Sequence, residues 1–331
     1  MGKPVPMAEL WRGGRFESQH LGHAAICDAR GKLVEAWGDP GAAIFPRSSC
    51  KMIQALPLVE SGAADAAGLG PEELALACAS HGGAAIHTTR VEAWLRGLGL
   101  GEPDLRCGPH MPYDDLARKA LICSDTAPCQ LHNNCSGKHA GFLTLARHLR
   151  AGPEYIEIGH EVQRAVREAF EEVTGEASPF HGIDGCSAPN FATTVAGLAR
   201  GMAAFAAAGE GDARGRAMVR LRRAMAAHPE LVAGEGRACT ELMRAATGGT
   251  VLKTGAEAVF VAILPEQRLG MAVKIVDGGT RGAELAIAAL LVRAGVLDAA
   301  DPAVRRRLDA PQLNCRGFEA ARLRAAPGFP G

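Results

Sequence analysis

The alternation of apolar and polar residues predicts a strand hairpin at the start of the chain and helices after it. Residues 17–37 alternate on either side of a turn at residues 28–31, a pattern typical of two antiparallel strands. Farther on, apolar residues recur every three or four positions, which is the period of an amphipathic helix. This period predicts helices over residues 51–61, 72–79, 88–97, 138–149, 161–173 and 213–227.

The last third of the chain returns to a strand pattern. Strands are predicted over residues 258–264 and 270–276, and a long apolar helix over residues 283–294. We expect strands from both ends of the chain to share one antiparallel sheet flanked by helices, an α+β fold with an inserted helical lobe. The predicted lobes of this single domain are a sheet lobe at about 1–47 and 248–310 and a helical lobe at about 48–247. The tail after Pro311 is expected to wrap the surface or to be disordered.

The balance of charges narrows the range of partners. Lys and Arg together number 36, as do Asp and Glu, so no net field favours nucleic acid or an anionic membrane. The chain shows neither the apolar core of a signal peptide nor an apolar run of membrane-spanning length. Its ten cysteines lack the dense spacing of a small disulfide scaffold. We therefore expect a cytoplasmic protein with reduced thiols that acts on a small molecule.

The segment Arg47-Ser48-Ser49-Cys50-Lys51 contains the pattern Ser-x-x-Lys at the start of a predicted helix. Residues three apart share a helix face, so Ser48 and Lys51 can meet. A serine hydroxyl attacks at neutral pH only when a base takes its proton, and a buried lysine is such a base. A helix N-terminus also offers backbone N–H groups to an oxyanion. The alternative is that Ser48 or Ser49 merely caps the helix.

A second motif, Lys253-Thr254-Gly255, stands before a predicted strand, as the Lys-Thr-Gly motif of penicillin-binding proteins and β-lactamases does. There the lysine supplies positive charge and the glycine lets substrate approach. A tripeptide alone is weak evidence, but the two motifs together are far more specific. Between them, Ser80 lies in a glycine-bearing turn that either lines the cleft or simply closes a helix.

Two further polar turns each contain a cysteine. Cys135 lies in Asn133-Asn134-Cys135-Ser136-Gly137-Lys138-His139, and Cys186 follows Asp184-Gly185. Two cysteines from separate loops form a disulfide, remain apart as thiols, or bind a soft cation such as zinc together with a nitrogen ligand. Spacing alone leaves these alternatives open, because no CxxC or HxxxH pattern is present.

With these motifs in hand, the chain resembles the rhizobial-type L-asparaginase family over nearly its whole length. The segments that carry the resemblance are Arg47-Ser48-Ser49-Cys50-Lys51, Ser80-His81-Gly82-Gly83, Asn133-Asn134-Cys135-Ser136-Gly137-Lys138-His139, Asp184-Gly185-Cys186 and Lys253-Thr254-Gly255-Ala256-Glu257. The resemblance implies a serine β-lactamase-like fold, a homodimer, and hydrolysis of L-asparagine. It also implies two Ser–Lys pairs, Ser48 with Lys51 and Ser80 with Lys253.

The same resemblance implies a Zn²⁺ ion held by Cys135, Lys138 and Cys186. Charge and proximity to the motifs suggest how a substrate would be held: Arg47 suits its α-carboxylate and Asp184 its α-ammonium. The remaining predicted substrate-binding residues are His139, Thr254 and Gly255. The alternative functions are a serine glutaminase, a β-lactamase or peptidase with the same groups, and a zinc-binding homologue without activity.

Overall fold

A computed structural model describes residues 2–331 and confirms the predicted α+β class. The chain forms two compact units. The first, here called the sheet unit, comprises the segment ending at Ser49, Thr193–Ala207 and Glu241–Gly331. The second, the helical unit, comprises Cys50–Ala192 and Ala208–Thr240. Two sequence expectations need correction: Thr193–Ala207 belongs with the sheet rather than with the helices, and the sheet unit continues to the C-terminus.

The strands are β1 (Val5–Arg12), β2 (Arg15–Asp28), β3 (Leu33–Trp37), β4 (Ala43–Ile44), β5 (His181–Ile183), β6 (Pro189–Phe191), β7 (Thr193–Thr194), β8 (Val251–Gly255), β9 (Val259–Leu264), β10 (Leu269–Ile275), β11 (Ala310–Leu313) and β12 (Glu319–Ala325). The α-helices are α1 (Lys51–Gln54), α2 (Leu56–Glu60), α3 (Ala63–Ala66), α4 (Pro71–Ala77), α5 (Ala85–Gly97), α6 (Asp115–Cys123), α7 (Ser136–His148), α8 (Glu161–Thr174), α9 (Val195–Ala207), α10 (Ala213–Ala227), α11 (Pro229–Val232), α12 (Ala238–Ala245), α13 (Thr280–Arg293) and α14 (Pro302–Arg305). Short 3-10 helices cover Arg47–Cys50, Glu102–Asp104 and Gln130–His132.

Strands from both ends of the chain share one antiparallel sheet, as predicted. Its order is β11-β12-β1-β2-β10-β9-β8, with β3 also paired to β2. The predicted hairpin is the β2–β3 pair, in which Ala25 lies opposite Ala36. Of the two alternatives for the tail after Pro311, surface wrapping and partial disorder, disorder is wrong, because β12 pairs with β1 and places Leu323 opposite Leu10 in a buried cluster.

The sheet buries its central strands because they are apolar at nearly every position. β9 reads Val-Phe-Val-Ala-Ile-Leu, and all six residues are buried. α9 packs directly on this sheet. At the contact, a side chain at Gly270 would clash with the backbone of Ala203, so the helix approaches β10 closely only because this residue is glycine.

The helical unit is arranged around α7, which is buried from Ser136 to Ala146. α5 packs on it, and the indole N–H of Trp94 donates to the Thr144 hydroxyl at 3.0 Å. The helix predicted over 51–61 is instead divided at Ala55 into α1 and α2, because Pro57 lies in the first turn of α2 and has no N–H with which to continue the earlier helix. Within residues 2–331, no helix combines the length and apolar character needed to cross a membrane.

Candidate active site

Lys51 is the centre of a buried polar cluster in the helical unit. It begins α1, and only 1% of its surface is exposed. Its Nζ donates to the Ala79 carbonyl, to Ser80 Oγ at 3.1 Å and to Cys135 Sγ at 3.0 Å. An ammonium or amine that is fixed by three partners is held in one position. The family resemblance implies a pair of Ser80 with Lys253, and within the helical unit Ser80 also contacts Lys51.

Ser80 stands in the extended segment after α4, where its backbone N–H donates to the Val232 carbonyl at 2.8 Å. The next residue, His81, is completely buried. Its Nδ1 accepts from the Gly83 N–H, so Nε2 carries the proton and donates to Ser136 Oγ at 2.9 Å. Burial lowers the pKa of His81 well below its usual value, and neighbouring His87 lowers it further. The neutral ring therefore links the turn that contains Ser80 to Ser136, the first residue of α7.

The first turn of α7 lies close against α4 because of a glycine. A side chain at Gly137 would clash with the carbonyl oxygen of Leu76. The glycine of the Asn-Asn-Cys-Ser-Gly-Lys-His motif is thus required by the close packing of the two helices. It lets Cys135 and Lys138 approach the end of α4, where Ser80 follows.

The helical unit also brings together Cys135, Lys138 and Cys186. All three are buried, with only 4%, 3% and 3% of their surfaces exposed. Lys138 Nζ is 3.0 Å from Cys186 Sγ. A hydrogen bond from Cys135 lowers the pKa of Cys186 well below its usual value despite burial, and Lys138 lowers it further. The same hydrogen bond, together with burial, raises the pKa of Cys135 to about 12. Of the two cysteines, Cys186 is therefore the one whose ionisation the surroundings favour.

Lys138 is charged in this arrangement. Burial lowers the pKa of Lys138, but the charge of Cys186 and its hydrogen bond to Lys138 oppose burial and leave the pKa above its usual value. Both cysteines are free thiols, which excludes the disulfide between them that spacing had left open. Among residues 2–331, no three His, Cys, Asp or Glu side chains are grouped so that they could hold a metal ion.

His139 and Asp184, both predicted to bind substrate, lie in the helical unit as well. Tyr155 Oη accepts from the Arg106 N–H at 2.7 Å and shares a hydrogen bond of 2.9 Å with His139 Nδ1. His139 is fully buried, and its Nε2 has no hydrogen-bond partner. Asp184 is half-buried, and its Oδ1 accepts from the Gly185 N–H at 2.8 Å. Sequence reasoning missed Tyr155, for which the only signal was that the chain has just two tyrosines.

In the sheet unit, Ser48 follows a strained residue. Arg47 is left-handed with φ of 52°, a conformation unfavourable for a side-chain-bearing residue. Ser49 is completely buried, and its hydroxyl donates to the Pro46 carbonyl at 2.7 Å. Ser48 is half-buried. The local structure therefore gives Ser49 a structural hydrogen bond.

The Lys-Thr-Gly motif ends β8 and precedes β9, the strand predicted after it, and it lies against the Ser48 segment. A Cβ at Gly255 would come within 2.7 Å of the Pro46 carbonyl oxygen and 3.0 Å of the Ser49 nitrogen. Lys253 is 1% exposed, and its Nζ donates to the Thr254 carbonyl at 2.8 Å. Within the sheet unit, the two motifs predicted from the sequence are thus neighbours.

The chain matches the model of one known protein family. The model of the family described as L-asparaginase II matches residues 8–325. The chain belongs to the L-asparaginase II family. Membership supports an amidohydrolase activity of the L-asparaginase type, and it confirms the resemblance inferred from the motifs. A search of the curated proteins gives no match.

Several solved structures are similar to the chain at low identity. A β-lactamase from Mycobacterium bovis has 14% identity and a TM-score of 0.38, with 85% of this chain and 91% of that chain covered. A penicillin-binding protein homologue from Caulobacter crescentus has 13% identity and a TM-score of 0.40, with coverage of 80% and 90%. The native form of Mglu has 14% identity and a TM-score of 0.43, with 85% of this chain and 66% of the Mglu chain covered. These are remote likenesses of fold and say nothing about the activity of this chain.

Proposed function

We propose that the protein is an L-asparaginase that hydrolyses L-asparagine to L-aspartate and ammonia with Ser48 as nucleophile. The proposal rests on the family match and on one structural observation. Lys51, three residues after Ser48, is buried with its Nζ 3.1 Å from Ser80 Oγ, so a possible base and a hydroxyl relay are already assembled. Ser49 is the weaker nucleophile candidate, because its hydroxyl is committed to Pro46.

The proposed reaction begins when Lys51 takes the proton of Ser48, which requires an unprotonated Nζ that donates to only two of its three partners. The Ser48 oxygen then attacks the side-chain amide carbon, and backbone N–H groups at the start of the helix stabilise the oxyanion. Lys51 returns the proton through Ser80 to the amide nitrogen, and the C–N bond breaks as ammonia departs. Water then hydrolyses the ester, with Ser80 and Lys253 relaying protons and Lys253 adding positive charge.

The charged ends of asparagine would be held by residues from both motifs. We assign Arg47 to the α-carboxylate and Asp184 to the α-ammonium, because charge-assisted hydrogen bonds are the strong ones. Thr254 and Gly255 would line the approach to the amide. His139 offers a buried Nε2 that has no hydrogen-bond partner in the protein, and a substrate or water would supply one.

We further propose that Cys135, Lys138 and Cys186 hold a zinc ion. The residues fit zinc chemically: the surroundings hold the pKa of Cys186 below its usual value, thiolates are soft ligands that zinc prefers, and a nitrogen atom, Lys138 Nζ, lies 3.0 Å from that sulfur. Binding would require Cys135 and Lys138 to lose protons, which the cation promotes. Such an ion would supply a positive centre for a substrate carboxylate or carbonyl oxygen. A homodimer and a cytoplasmic location remain predictions from the family resemblance and the sequence.

Purified protein tests the proposed reaction directly. We expect ammonia release from L-asparagine, and the same assay with L-glutamine at matched concentration measures the discrimination, since one methylene group changes it by only about 1–3 kcal/mol. We expect Ser48→Ala to abolish turnover while thermal unfolding is unchanged, and Ser49→Ala, the matched control, to keep it. Turnover in a folded Ser48→Ala protein would transfer the role of nucleophile to Ser80.

A further inference from the structure

The turn that follows the Lys-Thr-Gly motif has an unfavourable backbone. Gly255 pairs with Val259 across β8 and β9, which leaves a three-residue connection. Two of its residues, Glu257 and Ala258, are left-handed, with φ of 57° and 56°. Hairpin turns with consecutive left-handed residues normally use glycine, asparagine or aspartate there. Neither glutamate nor alanine relieves this strain, so the turn persists only if its surroundings hold it.

Lys274 on β10 supplies the missing support. Its Nζ donates to the backbone carbonyl of Glu257, and the neighbouring Ile275 N–H donates to the carbonyl of Ala258 at 3.1 Å. Both left-handed residues therefore have their carbonyl groups bound from the same strand. Lys274 is half-buried, and it stands opposite Val259, the first residue after the turn.

The Glu257 carboxylate also has a defined place. A Cβ at Gly278 would come within 2.8 Å of Glu257 Oε2, so the side chain lies against glycine just beyond β10. Glu257, Asp277 and Arg47 are the charged neighbours that act on Lys274, whose pKa is lowered by burial. Lys274 Nζ thus contacts the strained turn, and Arg47, the residue before Ser48, acts on it electrostatically.

These contacts meet at Gly255. This residue precedes the turn, and its backbone lies close to Pro46 and Ser49, as described above. A turn that relaxed toward ordinary φ values would shift the end of β8, and with it Thr254 and Gly255 beside Ser48. A misplacement of about 1 Å is enough to cost about 100-fold in rate.

We propose that Lys274 is a positioning residue, which holds the strained Glu257–Ala258 turn and thereby fixes the Lys-Thr-Gly motif against the Ser48 segment. The inference rests on the proposed function for its assay on asparagine. It differs from that function in assigning no contact between Lys274 and substrate. It requires that removing the strain should make Lys274 dispensable.

The experiment compares Lys274→Met, Lys274→Arg, Ala258→Gly and the double variant Lys274→Met/Ala258→Gly in the full-length protein. We expect Lys274→Met to lower kcat by about 10- to 100-fold with little change in KM, because substrate contacts remain while the geometry is lost. Lys274→Arg should retain most of kcat, since it still donates to a carbonyl. Ala258→Gly should be nearly neutral alone and should restore kcat in the double variant, because glycine adopts positive φ without strain. Lys32→Met, at an exposed position of the same unit, is the control.

Labelling of Ser48 by a serine-directed fluorophosphonate, followed by mass spectrometry, gives a second measure that needs no asparagine. Wild-type protein that is labelled but does not release ammonia would refute the proposed function, and the labelling rates of the variants would still test the role of Lys274. Normal kcat and labelling in Lys274→Met would overturn the inference. A folded double variant that is as slow as Lys274→Met would also overturn it. The same holds if Lys274→Met unfolds and the added Ala258→Gly substitution does not restore folding.

Discussion

The helical and sheet units fix their chemical groups in different ways. In the helical unit, Lys51 and Lys138 are held through side-chain contacts to Ser80, Cys135 and Cys186 inside a packed core. In the sheet unit, the Ser48 segment and β8 are held through the backbone, by left-handed residues and by a close approach at Gly255. Side-chain deletion should therefore damage the first region most, and a single added methyl group should damage the second.

The largest expected effect tests the helical side of this comparison. We expect Lys51→Met to lower kcat by at least about 100-fold, the lower bound for loss of a proton-transfer group. Lys253→Met, in the sheet unit, should lower kcat by as much through loss of a proton relay, and it is the one exception to this contrast. Lys119→Met, at an exposed position on α6, is the control. Steady-state kinetics on asparagine measures all three, and a loss at Lys253 below tenfold would reduce its role to substrate binding.

An added methyl group tests the sheet side. Gly255→Ala places a Cβ within 2.7 Å of the Pro46 carbonyl oxygen, so strand or Ser48 segment must move. We expect kcat to fall by about 10- to 100-fold and stability to fall by about 1–3 kcal/mol, the usual cost of overpacking. Gly159→Ala, where a side chain would meet nothing within 4 Å, should change neither. Unchanged activity in Gly255→Ala would show that this close approach does not position the nucleophile.

The zinc proposal separates substrate binding from chemistry within the helical unit. We expect Cys135→Ser to lose bound zinc and to raise KM for asparagine by about tenfold or more, the equivalent of one charge-assisted contact of about 1.5–3 kcal/mol, with a smaller change in kcat. Cys123→Ser, at an exposed thiol, should keep both. Metal analysis alongside kinetics decides the matter. One zinc per chain in Cys135→Ser would exclude this residue as a ligand, and loss of zinc without a change in KM would make the ion structural.

The smallest effect concerns acid stability. The pKa of His81 is lowered well below 6.5 in the folded protein, so below pH 6.5 the unfolded chain binds a proton that the folded chain refuses. The free energy of unfolding therefore loses nothing from His81 above this pH. As the pH falls below it, this group lowers the free energy of unfolding by up to about 1.36 kcal/mol per pH unit. Denaturant unfolding between pH 7 and 5 should show a shallower decline for His81→Gln than for wild type. His148→Gln, at an exposed position, should decline as wild type does.

Much of this arrangement was readable from the sequence because it depends on local patterns. Helical periodicity located α4, α5, α7, α8 and α10, and the motif residues of each unit are indeed neighbours within it. The Lys51–Ser80 contact was not readable, because it depends on how closely α4 and α7 approach at Gly137. Nor was the role of Lys274, since a lysine in an apolar strand carries no motif. The left-handed φ of Ala258 contradicts the preference of its residue type, so only the structure reveals it.

The position of β2 between β1 and β10 also has a consequence during protein synthesis. β2 emerges early, but its partner β10 is translated about 250 residues later, which at the usual rate is roughly 12 to 50 s. Throughout that interval the edge of β2 that will pair with β10, including Ala24, Ala25 and Ile26, has no native partner. An apolar strand edge left open for so long favours association with other nascent chains. Production of this protein should therefore depend on chaperones that cover such edges until the last third of the chain has left the ribosome.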